Sequence, residues 1–439
     1  MRRFFLVVML VAIPSLLFAG GQSEGESEEG MAEEQAGPQT LQVISHRVHN
    51  SVTTTGDGGD IVADFVDASG VQNVEWITLG VQEIHQRMFR EATLPSTTID
   101  VAFILNNQVS PRITELFMPL DEFLAQNPIE NLEDISPGLR EAVTFGGQLY
   151  GIPFRHATSA LHYNSQFFEE RGIDGPPETI EEMIEMIPEL TYTRDDGTQV
   201  YGFLIPGQGQ LHANHVDLAR AWNGDFITTD YEVAASEYGM VKAIETMKSL
   251  YQEGLLPQSF TAIANTDLNT WMQQGRVAMT FSSTGRNRFY NDPEQSSFPG
   301  VFETVPIPIS EEFADEFDVA PAKTEFWSIM IPRNADNPEL AWEFIKFISS
   351  QENTIRAALN GNGPVRGSAY EDNRIQEQIP YWDAEQQILQ VARVPLPGFE
   401  NAGQAADLFT QYAQQAIVGN LSAEEAMDRL AREVQPLVP

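Results

Sequence analysis

Apolar and polar positions alternate along the first part of the chain in a way that predicts short strands and helices. Apolar runs at 41–45, 74–79 and 99–105 have the length of buried strands. Between them, segments 59–70 and 81–91 carry apolar residues three or four positions apart, which predicts amphipathic helices. Strands that alternate with helices predict a βαβαβ unit with a mainly parallel sheet covered on both faces. The predicted fold class is therefore α/β.

The same alternation continues further along the chain. A capping box of Thr179 and Glu182 predicts the start of a helix, and residues 232–253 carry a helical apolar stripe. Residues 271–279 have the pattern of a helix that ends at a glycine and is followed by a buried strand. Residues 326–331 predict another strand. A second α/β block therefore follows the first.

Ligands of open parallel sheets bind beyond the carboxyl ends of the strands. In the first block these ends lie at 46–50, 78–82 and 106–108. His46, Asn106 and Asn107 are the polar side chains there that we expect to contact a ligand.

The stretch 146–164 is the most distinctive part of the chain. Gly146 and Gly147 predict a tight hairpin turn, because glycine adopts positive φ at little steric cost. The strand that follows reaches Pro153, which cannot donate to a sheet ladder, so a break is expected at 153–155. On this chemistry alone, a kinked edge strand is favoured over a crossing between two lobes.

Residues 147–164 resemble the GKLYG-P…YYN signature of family 1 extracellular solute-binding proteins of ABC importers, the maltose-binding-protein family. Three later stretches resemble further segments of that family in the same order: Trp271–Met279, Asn337–Ile345 and Gly363–Ser368. The four stretches span most of the chain that follows a signal peptide. The resemblance implies a two-lobe periplasmic binding protein-like fold of type II, with a ligand cleft between lobes joined by three crossing segments.

The resemblance also implies where the lobes begin and end. The N-terminal lobe is expected to comprise 40–154 plus 325–364. The C-terminal lobe is expected to comprise 155–324 plus 365–439. The three changes of lobe form the hinge.

The N-terminus has the pattern of an exported protein. Two arginines precede the apolar run 4–18, and Ala19 and Gly20 supply small residues for cleavage, so residues 1–19 are predicted to be a secretory signal peptide. Residues 20–39 are rich in Gly, Ser and Glu and predict a disordered acidic tether. The mature protein is expected to be soluble and periplasmic or extracellular.

Composition narrows the function classes. The chain contains no cysteine, which excludes disulfides, thiolate metal sites and lipid anchoring through a lipobox cysteine. With 63 acidic and 25 basic residues the net charge is −38, which argues against nucleic-acid and anionic-membrane partners. This charge has two interpretations: it keeps the protein soluble, or it is an adaptation to a saline medium. Melting temperature measured against NaCl distinguishes the two, because a flat curve contradicts the saline interpretation.

Carbohydrate sites combine aromatic faces with planar polar side chains that bond adjacent hydroxyls. By resemblance, Trp222 lies where sugar-binding relatives place a stacking aromatic, and ligand contact is favoured over core packing. For Trp327, which borders the cleft together with Glu325, ligand contact and core packing are weighed evenly.

Five further residues are expected at the cleft by their place in the resemblance. Arg155 and His156 directly follow the first crossing, and a cleft position is favoured over a solvent-facing strand. Arg286 follows a buried strand, and both a cleft position and a surface position remain open for it. Phe399 and Glu400 lie in a proline-rich loop that contributes an aromatic wall in relatives, the alternative being a loop that only packs.

Metal and enzyme functions rank lower. His46 and His49, His212 and His215, with His156, are spaced so that they are candidates for a metal site, but the first pair is predicted to lie in a loop without an acidic neighbour. The sequence lacks a Gly-x-Ser-x-Gly motif, a phosphate loop and a His-Glu-x-x-His motif. No cofactor, no bound metal and no catalysis are expected.

The predicted function is capture of a mono- or oligosaccharide by hinge closure and its delivery to the transmembrane permease subunits of an ABC importer. The protein is expected to act as a monomer. Arg155 and Arg286 leave an acidic or phosphorylated sugar open, because arginine matches carboxylate and phosphate geometry. The runner-up is a binding protein for a non-sugar solute, including metal.

Overall fold

Strands and helices alternate from residue 40 onward in the computed structural model, which describes residues 39–439. The predicted signal peptide, and the predicted tether except its last residue, lie outside the described residues. The strands are β1 Thr40–Ser45, β2 Asn73–Thr78, β3 Val101–Leu105, β4 Thr144–Phe145, β5 Gln148–Leu149, β6 Ile152–Asn164, β7 Tyr192–Thr193, β8 Gln199–Phe203, β9 Val277–Ser283, β10 Phe302–Val305 and β11 Thr324–Met330.

The helices cover the faces of the sheet. They are α1 Arg47–Thr54, α2 Ile61–Ser69, α3 Val81–Glu91, α4 Ile113–Leu116, α5 Asp121–Gln126, α6 Pro137–Glu141, α7 Ser165–Arg171, α8 Ile180–Glu189, α9 Leu211–Arg220, α10 Tyr238–Gln252, α11 Asn265–Gln273, α12 Arg286–Tyr290, α13 Pro338–Ile348, α14 Gln351–Leu359, α15 Asn373–Gln378, α16 Trp382–Val391, α17 Ala402–Ile417 and α18 Ala423–Val434. Short 3-10 segments occupy Asn106–Gln108, Leu132–Asp134, Phe260–Ala262, Glu311–Phe313 and Gly367–Glu371. Within residues 39–439, no helix is both long and apolar enough to cross a bilayer.

The first three strands form the predicted parallel unit. β1 lies between β2 and β3 and is parallel to both. β11 pairs antiparallel with β3, and β6 pairs antiparallel with β11, so the sheet continues beyond the first unit. The complete order is β2-β1-β3-β11-β6-β9-β8-β7, with β10 beside β6. The sheet is therefore mixed. The β2-β1-β3 unit and the β9-β8 pair are parallel, the crossing strands in the middle are antiparallel, and β7 adds an antiparallel edge to β8.

β6 is one continuous strand of 13 residues, so the predicted break at 153–155 is wrong. The irregularity that Pro153 introduces is absorbed by a change of register. Trp327 pairs with Arg155, but Ser328 pairs with Pro153, which leaves Phe154 as the extra residue of a β-bulge. A bulge lets the strand keep its direction while its pairing shifts by one residue.

The glycine signals are confirmed where they mark turns and helix ends. Gly146 and Gly147, between β4 and β5, have φ of 59° and 79°, as the predicted hairpin requires. Gly70 ends α2 at φ 73°, and Gly275 follows α11 at φ 65°.

Helix starts were predicted with mixed success. The Thr179 side chain accepts a hydrogen bond from the backbone N–H of Glu182, as the capping box predicts. The predicted helix at 232–253 begins only at Tyr238, because the preceding residues form a bridge and turns. The predicted loop at 46–50 is wrong: His46 caps α1, with its Nδ1 accepting from the backbone N–H of Val48 at 3.4 Å.

Two separate hydrophobic cores show that the chain is built as two lobes. The first core draws its residues from 41–154 and 326–394, and defines the first lobe. The second core draws its residues from 160–322 and 388–434, and defines the second lobe. β6 contributes residues to both cores, and β11 leads from residues 320–322 of the second core into the first, so these two strands form crossing segments.

The third change of lobe comes later than the predicted boundary at residue 364. Val365, Tyr370 and Ile375 pack into the first core, together with Leu389 on α16. Ile388, the neighbour of Leu389, packs into the second core. α16 therefore lies across the junction, and the chain joins the second lobe at the end of this helix.

Candidate functional site

A cavity of about 1230 Å³ lies at the junction of the lobes. The first lobe and the crossing strand β6 contribute Arg155, His156, Ala358 and 361–363 to its wall. The second lobe contributes residues 283–285, 287, 288, 291–293, 300 and 302–304, and the segment around α16 contributes 378–381 and Glu385. We call this space the main cavity. A molecule bound in it contacts both lobes.

Arg155 reaches from β6 toward the segment before the third crossing. Its Nη1 donates to the backbone oxygen of Gly361 at 3.2 Å and to Oδ1 of Asn362 at 3.1 Å. Asn362 is itself held by a 2.8 Å bond from its Nδ2 to the backbone oxygen of Phe154. The guanidinium is thus fixed in the wall of the main cavity.

His156 points away from Arg155 into a buried hydrogen-bond chain. Its Nδ1 bonds Thr158 Oγ1 at 2.8 Å, and Thr158 in turn donates to Thr324 Oγ1 on the second crossing strand. Nε2 bonds the hydroxyl of Tyr370 at 3.0 Å. Burial, with a further effect of the Arg155 charge, lowers the pKa of His156 to about 3. The imidazole is therefore neutral, and its bonds tie the crossing strands together.

The second-lobe wall begins where β9 ends. Asn287 is buried and its Nδ2 donates to the Phe302 backbone oxygen at 3.0 Å and to Thr304 Oγ1 at 2.9 Å. These bonds fix the start of α12 against β10. Arg288 lines the main cavity, whereas Arg286 is exposed and lies over the ring of Phe289 at 5.7 Å. Arg288, and not the predicted Arg286, therefore lies in the wall of the main cavity.

Trp327 is packed among histidines of the first lobe and lies outside the main cavity wall. Its ring stacks on His46 at 6.4 Å and on His85 at 5.7 Å, and His49 meets it edge-on at 4.7 Å. His49 is fully buried, and burial followed by the Arg155 charge holds its pKa well below the usual value. Neutral imidazoles therefore surround this half-buried tryptophan. The arrangement matches the core-packing alternative for Trp327.

Trp222 is a core residue of the second lobe, which corrects its prediction as a stacking residue. Its side chain is 2% exposed, and its Nε1 donates to Glu181 Oε1 at 3.2 Å. The indole therefore has its polar atom satisfied and its faces covered. Its position after a buried helix, α9, explains the burial.

Asn106 lines a smaller cavity of about 330 Å³. Its Oδ1 accepts a hydrogen bond from the backbone N–H of Phe326 at 2.9 Å. Tyr231 and the loop 396–398 line the same space. The amide of Asn106 thus fixes β11 against the end of β3. This role is structural and is separate from the predicted contact with a ligand.

The remaining predicted site residues lie outside both cavity walls. Asn107 is exposed and accepts from Gln108 Nε2, and Glu325 is half-buried opposite Ala157 in the sheet. Phe399 is 8% exposed and packs in the second core, where its ring meets Tyr231 edge-on. Glu400 is exposed. The proline-rich loop therefore matches the packing alternative.

The sequence missed the contribution of the segment around α16. Tyr381 is half-buried and lines the main cavity beside Glu385. Asn362, next to the recognised Gly363 motif, was also missed. The proximity of Asn362 to a predicted crossing was a usable signal, but the positions of Tyr381 and Glu385 depend on packing between distant segments. No group of three or more His, Asp or Glu side chains in the described chain is arranged to hold a metal.

Comparison with known proteins agrees with this architecture. Residues 60–380 match the model of the family described as bacterial extracellular solute-binding protein. The chain is 23% identical to a putative binding protein of Brucella abortus and 24% identical to the erythritol/L-threitol-binding protein of Mycolicibacterium smegmatis. These matches cover 47% and 56% of the chain, and 48% and 54% of those proteins, so the chain spans about half the length of either relative.

Solved structures extend the match to nearly the whole chain. The maltose-bound MalE3 of T. maritima is 20% identical, with a TM-score of 0.71, over 91% of this chain and 99% of that one. The sugar-binding protein MalE of Xanthomonas citri is 18% identical, with a TM-score of 0.73, over 91% and 97%. At this identity the likeness establishes the two-lobe fold. From the family match over residues 60–380, this chain belongs to the bacterial extracellular solute-binding proteins.

Proposed function

We propose that this protein is the substrate-binding protein of an ABC importer and that it captures a carbohydrate or polyol in the main cavity. The observation that carries the proposal is the composition of the cavity wall, which is drawn from both lobes and from two crossing segments. A ligand there touches both lobes at once, so binding stabilises the closed arrangement relative to the open one.

The chemistry of the wall suits a polyhydroxylated molecule. Arg155, Asn362 and Arg288 supply planar or cationic donors, and Tyr381 supplies an aromatic ring. Fixed planar groups bond adjacent hydroxyls, while an aromatic face covers the C–H face of a sugar. The volume of about 1230 Å³ exceeds that of common small-molecule sites, roughly 300–1,000 Å³, which leaves room for an oligosaccharide or for hinge closure.

Relatives support the same ligand class. The Mycolicibacterium smegmatis relative is named for binding erythritol and L-threitol, and the T. maritima neighbour holds maltose. Delivery to a membrane permease, action as a monomer and absence of catalysis complete the proposal. Export is part of the proposal and is supported by the signal-peptide pattern of residues 1–19.

The test is a thermal-shift screen of the protein against neutral sugars, polyols, sugar acids and sugar phosphates. A ligand at a hundred times its dissociation constant stabilises the native state by about 2.7 kcal/mol, enough for a clear rise in melting temperature. Any hit is followed by small-angle X-ray scattering, in which hinge closure reduces the radius of gyration. Absence of a shift with every carbohydrate in the panel contradicts the proposal.

A matched pair of variants locates the site. Tyr381→Ala removes the ring in the cavity wall and is expected to weaken binding of the hit about tenfold. Tyr238→Ala removes a tyrosine that is 54% exposed and outside the cavity, and is expected to leave the affinity unchanged. Equal affinities for the two variants contradict binding against Tyr381.

A further inference from the structure

Arg155 lines the main cavity, and only one nitrogen of its guanidinium is hydrogen-bonded to the described chain. Both described bonds use Nη1, to Gly361 and Asn362, and both acceptors are uncharged. Among residues 39–439, Nε and Nη2 have no hydrogen-bond partner and the side chain forms no ion pair. The Nε–Nη2 edge is the planar fork with which arginine binds two oxygens at once.

The carboxylates of the same cavity already have partners. Glu385 accepts from the Thr284 hydroxyl, and Glu303 accepts from the Tyr163 hydroxyl. Asp292 accepts from the backbone N–H of Glu294 at 2.9 Å and from Gln295. The acids are thus bonded within the protein, whereas the fork of Arg155 is not.

A second cation faces the same space from the other lobe. Arg288 is exposed and lines the main cavity, and within the described chain it makes neither a hydrogen bond nor an ion pair. Arg155 and Arg288 line the same cavity, so one ligand there can contact both side chains. The cavity therefore offers unpaired positive charge from both lobes, in a chain whose net charge is −38.

We infer that the ligand of the main cavity carries an oxyanion group, a carboxylate or a phosphate, that binds the Nε–Nη2 edge of Arg155. Burial costs the Arg155 guanidinium hydration, and the charge of Glu385 offsets this only at a distance because the two side chains form no ion pair. An oxyanion on the ligand supplies the missing direct partner. The strongly negative chain repels anions in general, so selective uptake of one requires a local cationic group of this kind. The inference rests on the proposed function, because it defines the substrate class of the same cavity.

The experiment measures dissociation constants by isothermal titration calorimetry in two matched series. One series is D-glucose, D-glucuronate and D-glucose 6-phosphate; the other is glycerol, glycerate and glycerol 3-phosphate. In at least one series an anionic member is expected to bind about tenfold to a hundredfold more tightly than its neutral parent. Comparison of the carboxylate with the phosphate identifies which oxyanion is preferred.

Variants assign the preference to a residue. Arg155→Gln is expected to abolish it, and Arg155→Lys, which keeps the charge without the planar fork, is expected to reduce it. Arg286→Gln, on the exposed side of α12 outside the cavity wall, is the control and is expected to keep it. Melting temperatures of the unliganded variants establish that each one folds.

The outcomes separate this inference from the proposed function. Equal or tighter binding of a neutral parent overturns the oxyanion inference and leaves carbohydrate capture standing. A preference that survives in Arg155→Gln and Arg155→Lys overturns the assignment to Arg155. Failure of both series to bind overturns the inference, and the broader carbohydrate screen then decides whether the proposed function fails with it.

Discussion

Thr284 and Glu385 join the second lobe to α16 through a hydrogen bond between side chains that are 101 residues apart in sequence. The Thr284 hydroxyl, one residue beyond β9, donates to Oε1 of Glu385. Thr284 is 2% exposed and Glu385 5%. Burial raises the pKa of Glu385, and the Thr284 hydroxyl opposes this shift only in part. The charged carboxylate is therefore held at a cost in folding free energy.

This cost predicts the behaviour of Glu385→Gln. Folding raises the pKa of this carboxyl above its value of 4.5 in the unfolded chain. The folded protein therefore becomes less stable as the pH rises from 4.5 through the folded-state pKa. Glutamine resembles the protonated form and does not lose this stability. We expect the variant to melt a few degrees above the wild type at about pH 8. The difference should shrink as the pH falls toward 4.5.

Glu377→Gln, an exposed substitution on neighbouring α15, is the matched control and should show little difference at any pH. Melting curves of the three proteins across this pH range provide the measurement. A variant that melts below the wild type at high pH, or whose advantage grows on acidification, would show that the charged form of Glu385 is needed for the junction.

Local signals predicted the secondary structure well because the structures that they specify are themselves local. Gly70 and Gly275 end helices as expected, since positive φ is a property of the residue itself. The apolar spacing of 81–91 gave α3 with its observed bounds. The predicted break in β6 was wrong because the adjustment is made through pairing with β11, which no local pattern reveals.

The site was predicted less completely, for a related reason. Arg155 and His156 follow a recognisable crossing, so their position near the cavity was accessible from sequence. Trp222 was misplaced because exposure of a tryptophan depends on what distant segments cover it. Tyr381 and Glu385 were missed because their role arises from the packing of α16 across both cores.

His162 predicts a loss of stability in mild acid. It is fully buried, its Nδ1 bonds Thr304 Oγ1 at 2.8 Å, and its Nε2 donates to the backbone oxygens of Ser282 and Ser283. Burial lowers its pKa to about 4. The unfolded chain binds a proton near 6.5 while the folded protein does not, so stability is full above 6.5 and falls as the pH drops toward 4. The slope is about 1.4 kcal/mol per pH unit.

His162→Gln tests this contribution. The variant should be less stable than the wild type at neutral pH by about 1–3 kcal/mol, because buried hydrogen bonds are lost. This difference in stability should shrink by about 1 kcal/mol or more between neutral pH and about pH 5, because burying a neutral histidine becomes unfavourable for the wild type as the pH falls. Urea unfolding at each pH measures both quantities. For His46→Gln, a substitution at a half-buried helix cap, the difference from the wild type in unfolding free energy should narrow less on acidification. Equal narrowing in both variants refutes the assignment to His162.

Substitution of Trp222 should lower the stability of the protein without changing its affinity for a ligand. Trp222→Phe removes the hydrogen bond to Glu181 and part of the packing, and should cost about 1–3 kcal/mol of unfolding free energy. Because the side chain lies in the second core, affinity for a ligand of the main cavity should not change. Tyr381→Ala should show the opposite pattern, with weaker binding and little loss of stability. Reduced affinity in folded Trp222→Phe contradicts the core assignment.

Gly275 and Gly70 form a matched pair, because their backbone conformations are nearly the same but the room for an added Cβ differs. Their φ angles are 65° and 73°, but a Cβ on Gly275 comes within 2.2 Å of the Phe298 ring, whereas one on Gly70 meets nothing within 4 Å. Gly70→Ala should therefore cost only the left-handed strain, about 1–2 kcal/mol. Gly275→Ala should cost a further 1–3 kcal/mol or so, from overpacking against the ring.

Urea unfolding of the two variants measures this difference, and a second substitution tests its cause. Phe298→Leu in the Gly275→Ala background removes the ring that the new methyl group meets, and should recover part of the added loss. The same substitution in the Gly70→Ala background should only destabilise, because no clash is relieved there. Equal losses for Gly275→Ala and Gly70→Ala would mean that the Phe298 ring moves aside freely, and that the close contact after α11 does not constrain the start of β9.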